Sequence, residues 1–332
     1  MPIRVKSGGL YDTENRPLCY TIARQRSVSA SSGRSSLRVV FIDRMQVYGK
    51  IFSVNAIQGD TKMKKEMKSK KHILCEKAPL LAMLLGCIIA LLFVSIPGLL
   101  GLPRTAENLL ESAAAVLFLI AFKRWFSPEF KGVFQASVPA REILIVFLPF
   151  IFKFVLSYIS NLVDYGLYFN PTLLGLTMAI AAGFYEETVF RGVAVPIGMR
   201  YLKSKNKILI IVILTSLIFG LIHIGNVFQG ASITMAVIQG TVTIFGGFLY
   251  VAAYLRTGSI LVPIFMHGIY DYMCFLTDAS LDNGIMTAET VTTGLILSVV
   301  IYVIAGIWGL YLIRPAVRDK IEAIWNEKWS LV

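Results

Sequence analysis

Among the 332 residues there are three histidines, and two of them, His223 and His267, fall inside long apolar runs, together with Glu186, Glu187, Arg191 and Asp271. Ionisable groups in hydrocarbon are costly, so a set of exceptions this short points to function. In GFYEETVFRG, Glu187 and Arg191 are four apart on one helical face, where an ion pair lowers the cost of burying both. Glu186 is turned by about 100° from Glu187 and faces elsewhere, with no cation of its own on that helix. A poorly solvated carboxylate of this kind suits a general base. In FGLIH, Phe219 and His223 are four apart, and in HGIYD so are His267 and Asp271. One carboxylate and two imidazoles can hold and deprotonate a water and stabilise an oxyanion. Packing readings stand beside this one: paired carboxylates can glue helices, and a lone imidazole on an apolar helix is usually a satisfied core residue. His72 sits in a basic flank and reads as solvated, and Lys153 is a further buried charge standing apart from these motifs.

Other chemistries find less support. There is no HExxH, although Glu186, His223 and His267 would suffice to hold a metal with one open position, and that alternative stays open. A paired-aspartate site lacks a second aspartate beside Asp271, and no Gly-x-Ser-x-Gly elbow frames Ser216 or Ser259. The pair Gly246 and Gly247 reads as close helix packing. Cys19, Cys75, Cys87 and Cys274 have no CxxC spacing and suggest neither a disulfide framework nor a zinc cluster.

The elements that must position these residues are membrane helices. Hydrophobic residues make up 56% of the chain and charged ones 16%, more apolar than a soluble core requires. Apolar runs fall at about 79–103, 108–122, 143–163, 172–198, 208–228, 233–254, 260–276 and 291–313, which predicts an all-α, polytopic transmembrane bundle of about eight spans. The second and seventh are short enough to be tilted or re-entrant. Of the net charge of +12, an excess of +10 lies before residue 79, where a cytoplasmic flank is expected; no basic stripe interleaved with aromatics suggests nucleic acid. With the N-terminus inside, the inner connections carry Lys123, Arg124, Lys131 and Arg141, then Arg200, Lys203, Lys205 and Lys207, then Arg256, then Arg314, Arg318 and Lys320. The outer connections hold only Arg104 among Glu107, Asp164, Asp278, Asp282 and Glu289, which predicts both termini in the cytoplasm. Counted from the outer ends at about 1.5 Å per residue, Glu186 lies roughly 21 Å deep, His267 roughly 13 Å and His223 roughly 8 Å.

Four segments are expected. Residues 1–78 form a basic N-terminal segment read as disordered, with Ser- and Arg-rich sequence up to residue 44; a transit peptide is an alternative there, and a start at Met45, Met63 or Met67 is the preferred reading. Residues 79–171 hold the N-terminal spans, 172–276 the catalytic core, and 277–332 the last span and a cytoplasmic tail. No internal repeat of the kind found in transporters is evident.

Taken together, the motifs resemble the type II CAAX prenyl endopeptidase family, also known as the CPBP or Abi family of CAAX proteases and bacteriocin-processing proteins. Its EExxxR motif corresponds to Glu186, Glu187 and Arg191, extended by Phe190 and Gly192; its FxxxH to Phe219 and His223; its Hxxx(N/D) to His267 and Asp271. The leader before the third is similar to Gly258, Ser259, Ile260, Pro263 and Ile264. The resemblance covers about 173–275 and implies an intramembrane endopeptidase. In it Glu186 activates water with His223, His267 and residue 271 stabilise the oxyanion, and Glu187, Arg191 and Phe219 support them, with no cofactor required. An ionised Asp271 cannot donate to an oxyanion as an asparagine does, so orienting His267, or staying protonated, is its expected role. The implied partners are membrane lipids and a peptide or protein substrate, prenylated CAAX-type or a bacteriocin-like peptide, entering laterally or from the cytoplasm of a bacterial plasma membrane. A non-catalytic immunity or scaffold protein and a proton-relay transporter remain alternatives of a different class.

Overall fold

A computed structural model describes residues 73–279, 281–282, 285–286 and 292–331. His72, Cys19 and the candidate starts Met45, Met63 and Met67 lie outside the described residues.

The apolar runs form helices α1 (Pro79–Val94), α2 (Arg104–Ala121), α3 (Ala140–Tyr165), α4 (Leu173–Ala181), α5 (Ala194–Tyr201), α6 (Lys207–Ile224), α7 (Ile233–Thr257), α8 (Leu261–Thr277) and α9 (Thr293–Leu312). Counting short 3₁₀ and π continuations, seven helical stretches are long and apolar enough to cross a membrane, and α8 is a shorter apolar helix beside them. The chain is thus a polytopic helical bundle. The second run is longer than its sequence suggested: a π turn over Phe122–Phe126 extends α2 to a stretch of 23 residues. The seventh does remain short, at 17 residues.

The packing order explains which helix faces lipid and which does not. Helix α7 packs against α6, α8, α9 and α10 (Pro315–Lys328), and its residues Leu249 to Leu255 are buried on every side, as expected for a helix surrounded by others. Helix α1 instead leaves Leu80, Leu81, Leu84, Ile88, Ile89 and Leu92 exposed, an apolar patch suited to contact with lipid. Helix α9 packs on α3 and α7, and α8 on α3, α4 and α7. Between α8 and α9, Leu281–Asp282 pairs antiparallel with Ile285–Met286.

Polar clamps hold the two ends. At one end Lys328 donates to the Gly132 and Gln135 carbonyls (3.0 and 2.8 Å), Trp325 to Leu255 O (3.1 Å) and Trp329 to Pro196 O (3.2 Å). The segment read from sequence only as a tail is therefore a docked helix, α10. The family-like leader lies at this same end: Gly258 takes a left-handed φ of 70° to end α7, Ser259 Oγ donates to Phe134 O at 2.6 Å, and the Ile260 amide donates to Val133 O at 2.8 Å. At the other end Asn108 bonds Thr177 (3.2 Å), Asn161 bonds Thr277 (2.8 Å), and Asp164 accepts from Thr292 and the Gly294 amide at the start of α9.

Candidate active site

Helix α4 does not run straight into α5. Two successive π turns, Ala182–Glu186 and Thr188–Gly192, lie between them with Glu187 at the junction. Such insertions widen the turn and recur at functional sites. Here they coincide with the two adjacent carboxylates, which point to different surroundings. Glu187 is fully buried against the fully buried Arg191, Oε1 to Nη1 2.9 Å. Glu186 turns the other way, its side chain 24% exposed, into a cavity of about 470 Å³.

Two histidines converge on Glu186. His267 Nε2 is 3.6 Å from its Oε2 and His223 Nε2 is 3.9 Å from the same oxygen. Both separations exceed a direct hydrogen bond, which leaves these groups able to bond a water seated beside them. The far nitrogen of each ring is tied down. His223 Nδ1 is 2.8 Å from the Phe219 carbonyl, which can only accept, so Nδ1 carries hydrogen and Nε2 faces the cavity. His267 Nδ1 is 3.0 Å from Glu187 Oε1, so the same carboxylate that pairs Arg191 also fixes this ring. Asp271 Oδ2 is 3.5 Å from His267 Nε2, on the Glu186 side. The His267 ring thus has a carboxylate on each side: the hydrogen bond from Nδ1 runs to Glu187, and Asp271 lies within ion-pair range of the cavity-facing Nε2.

The aromatic members hold these rings in place. Phe219 sits edge-on to both imidazoles, centroids 4.7 Å from His223 and 5.8 Å from His267 and each at 82°, and the Arg191 guanidinium lies 4.2 Å over its face. Tyr250 of α7 stacks on His267 at 5.0 Å and 21°. Lys153, buried with no hydrogen-bond acceptor, places Nζ 2.9 Å from the Tyr270 centroid and 4.0 Å from that of Tyr302, in a cage that also borders Tyr250. Sequence pattern pointed to neither Tyr250 nor this cage. A tyrosine in an apolar run carries no spacing signal, and Lys153 stands alone on its own helix.

Close backbone contact delivers His267 to the site. A Cβ at Gly183 would lie 2.7 Å from the Ile264 carbonyl, and one at Gly268 3.0 Å from the Ala179 carbonyl, so α8 touches the first π turn through one glycine and the end of α4 through another. Gly247 of the Gly246–Gly247 pair permits a similar approach: a Cβ there would meet Ser216 Oγ at 2.8 Å and Arg191 Nη2 at 3.0 Å.

The structure therefore brings together all seven residues singled out from sequence, Glu186, Glu187, Arg191, Phe219, His223, His267 and Asp271. The unequal depths counted along the spans do not keep them apart: α6 ends at Ile224, with a 3₁₀ turn rather than more α-helix after it, and the π turns alter the rise along α4. Among the described residues, no group of three or more His, Cys, Asp or Glu side chains is arranged to hold a metal ion, so no step is drawn through one.

No curated protein and no solved structure matches the chain. Residues 168–273 match the family described as type II CAAX prenyl endopeptidase Rce1-like, a stretch that includes every residue just described as part of the seven. Residues 168–273 thus carry a domain of the CAAX-protease family, a family of proteases, and the seven helices long and apolar enough to cross a membrane make the chain an integral membrane protein.

Proposed function

We propose that this chain is an intramembrane endopeptidase in which Glu186 activates a water for attack on a peptide carbonyl. The observation that carries the reading is the convergence of His223 Nε2 and His267 Nε2 on one Glu186 oxygen, at 3.9 and 3.6 Å, inside a polar cavity within the bundle.

In the proposed cycle a water held between Glu186 and His223 gives its proton to Glu186 as its oxygen attacks the carbonyl carbon. His267, protonated on both nitrogens and balanced by Glu187, donates Nε2–H to the oxyanion that forms. Glu186 then returns the proton to the departing amine as the C–N bond breaks, and the products are a carboxylic acid and an amine. Arg191 holds Glu187, and Phe219 keeps the two imidazoles apart. The bacterial plasma membrane is the proposed setting, with CAAX-type ends or bacteriocin-like peptides as the candidate substrates.

The test is cleavage of a peptide library and of a prenylated CAAX peptide by the purified full chain, with and without chelator. Glu186→Ala and His223→Ala should each lose at least about 10²-fold in kcat/KM while remaining folded and membrane-inserted. Full activity in either variant would remove the assignment, and a biological phenotype that survives Glu186→Ala would favour a non-catalytic immunity or scaffold role.

A further inference from the structure

His267 is crowded by carboxylates. Glu187 Oε1 stands 3.0 Å from its Nδ1, and Asp271 Oδ2 and Glu186 Oε2 stand 3.5 and 3.6 Å from its Nε2. Two cations are already placed against these three anions: Arg191, bonded to Glu187, and His267 itself in the doubly protonated form that the proposed cycle requires. His223 adds none, because its Nδ1–H goes to the Phe219 carbonyl and its Nε2 is left to hold water. Arg104, on the cavity wall, is paired with Glu107. One negative charge is left over in a poorly solvated interior, where an unbalanced ion is costly.

The cation that can offset it is on α3, outside the residues 168–273 shared with the family. Lys153 is fully buried and, among the described residues, its ammonium has no hydrogen-bond acceptor. It faces aromatic rings instead, with Nζ 2.9 Å from the Tyr270 centroid, 4.0 Å from that of Tyr302 and 6.0 Å from that of Tyr250. Ring quadrupoles attract the ammonium yet leave its charge unneutralised, as a carboxylate partner would not. All three tyrosines line the cavity and Lys153 does not, so the charge lies one ring behind the wall. Tyr250 also stacks on His267, and Asp271, next in sequence to Tyr270, lies within Coulomb range of Lys153.

We propose that Lys153 is a positioning residue for this site: held behind Tyr250, Tyr270 and Tyr302, its charge offsets that of Asp271, so that the oxyanion forms beside a neutral pair and not beside an extra anion. The effect on rate rests on the hydrolytic reading above, whereas the pairing of the two charges follows from burial and the tyrosine cage alone.

The test is a double-mutant cycle on the full chain in detergent with Lys153→Met and Asp271→Asn, read by cleavage of one library-selected peptide and by thermal unfolding. Lys153→Met should lower kcat by about tenfold with KM unchanged, since Lys153 acts through its charge and touches no substrate. In chains that also carry Asp271→Asn it should cost less than about twofold, because no anion is left for Lys153 to offset. A residue needed only for packing would give equal losses in both backgrounds; that result, no loss at all, or a loss confined to KM overturns the proposal. The melting temperature should fall with Lys153→Met and recover when Asp271→Asn is added. This second reading decides the matter where the unmodified chain cleaves no peptide, an outcome that removes the hydrolytic reading but not the pairing; a shift that is absent, or equal in both backgrounds, then overturns the pairing. If Lys153→Met does not accumulate as folded protein, its recovery on adding Asp271→Asn supports the proposal and continued failure overturns it.

Discussion

Replacing Gly183 by alanine tests whether the contact between the first π turn and α8 sets the spacing of the reactive groups. The added Cβ would lie 2.7 Å from the Ile264 carbonyl oxygen, against 3.4 Å or more for ordinary contact, so α8 must retreat by about 0.7 Å. Both atoms belong to backbone or its first side-chain atom, so no flexible side-chain end can absorb the shift. Ile264 is three residues before His267, which therefore moves with it away from Glu186. Since a misplacement of about 1 Å can cost about 10²-fold, Gly183→Ala should lower kcat/KM by about 30-fold. Overpacking should also cost about 1–3 kcal/mol of stability. Gly268→Ala closes the same seam from the other side, but its Cβ would lie 3.0 Å from the Ala179 carbonyl, a shift of about 0.4 Å and a loss of about sixfold. The assay is cleavage of one library-selected peptide in one detergent, with thermal unfolding as the control. Full activity of Gly183→Ala, or a larger loss in Gly268→Ala, would refute the argument.

Glu187→Ala should destabilise the protein by about 3–5 kcal/mol, since it strands a fully buried Arg191 and frees His267 Nδ1; a melting temperature equal to that of the unmodified chain would count against the pair as a structural element. Asp271→Asn should keep or raise activity because its amide can donate toward the oxyanion, whereas Asp271→Ala should lose about 10²-fold in kcat/KM; equal losses in both would mean that the carboxylate itself is needed. In α10, burial lowers the Lys328 ammonium from its usual 10.5 to about 8. The folded state then holds this proton less tightly than the unfolded chain, so stability relative to Lys328→Met should be flat below about pH 8 and rise from there toward 10.5. A falling difference over that window, measured by thermal unfolding against pH, would show that the ammonium is stabilised by its two carbonyl partners more than it is penalised by burial.

Much of this site was legible in the sequence because the membrane makes polar residues conspicuous. Glu186, Glu187, Arg191, His223, His267 and Asp271 stand out against hydrocarbon, and helical spacing alone paired Glu187 with Arg191 and separated Glu186 from both. What spacing could not show was contact between helices distant in sequence. The bond from His267 to Glu187 joins residues 80 apart, and Tyr250 and Lys153 reach the site from α7 and α3. Regular helix geometry also misled the depth count, which assumed an even rise through Ala182–Gly192 and an α-helix continuing past Ile224. The docked helix α10 was missed for a related reason: its anchors, Trp325 and Trp329, bind carbonyls of Leu255 and Pro196 rather than forming a long apolar run.

The two adjacent carboxylates show why the irregular backbone matters to the chemistry. In membrane a pair of neighbouring anions on a regular helix would need two nearby cations, yet within two turns of them this helix offers only Arg191. The π turns at Ala182–Glu186 and Thr188–Gly192 widen the helix on either side of Glu187, which lies buried with Arg191 on one side and His267 on another. Glu186 is left to the cavity and to the two Nε2 atoms. One carboxylate is thereby committed to structure and the other remains available for proton transfer. The same division runs through the bundle, since the tryptophan and lysine clamps of α10 secure one end while the cavity around Glu186 occupies the other. The two Nε2 atoms stand 3.6 and 3.9 Å from Glu186 Oε2 without direct bonds to it, which leaves all three groups able to bond a water.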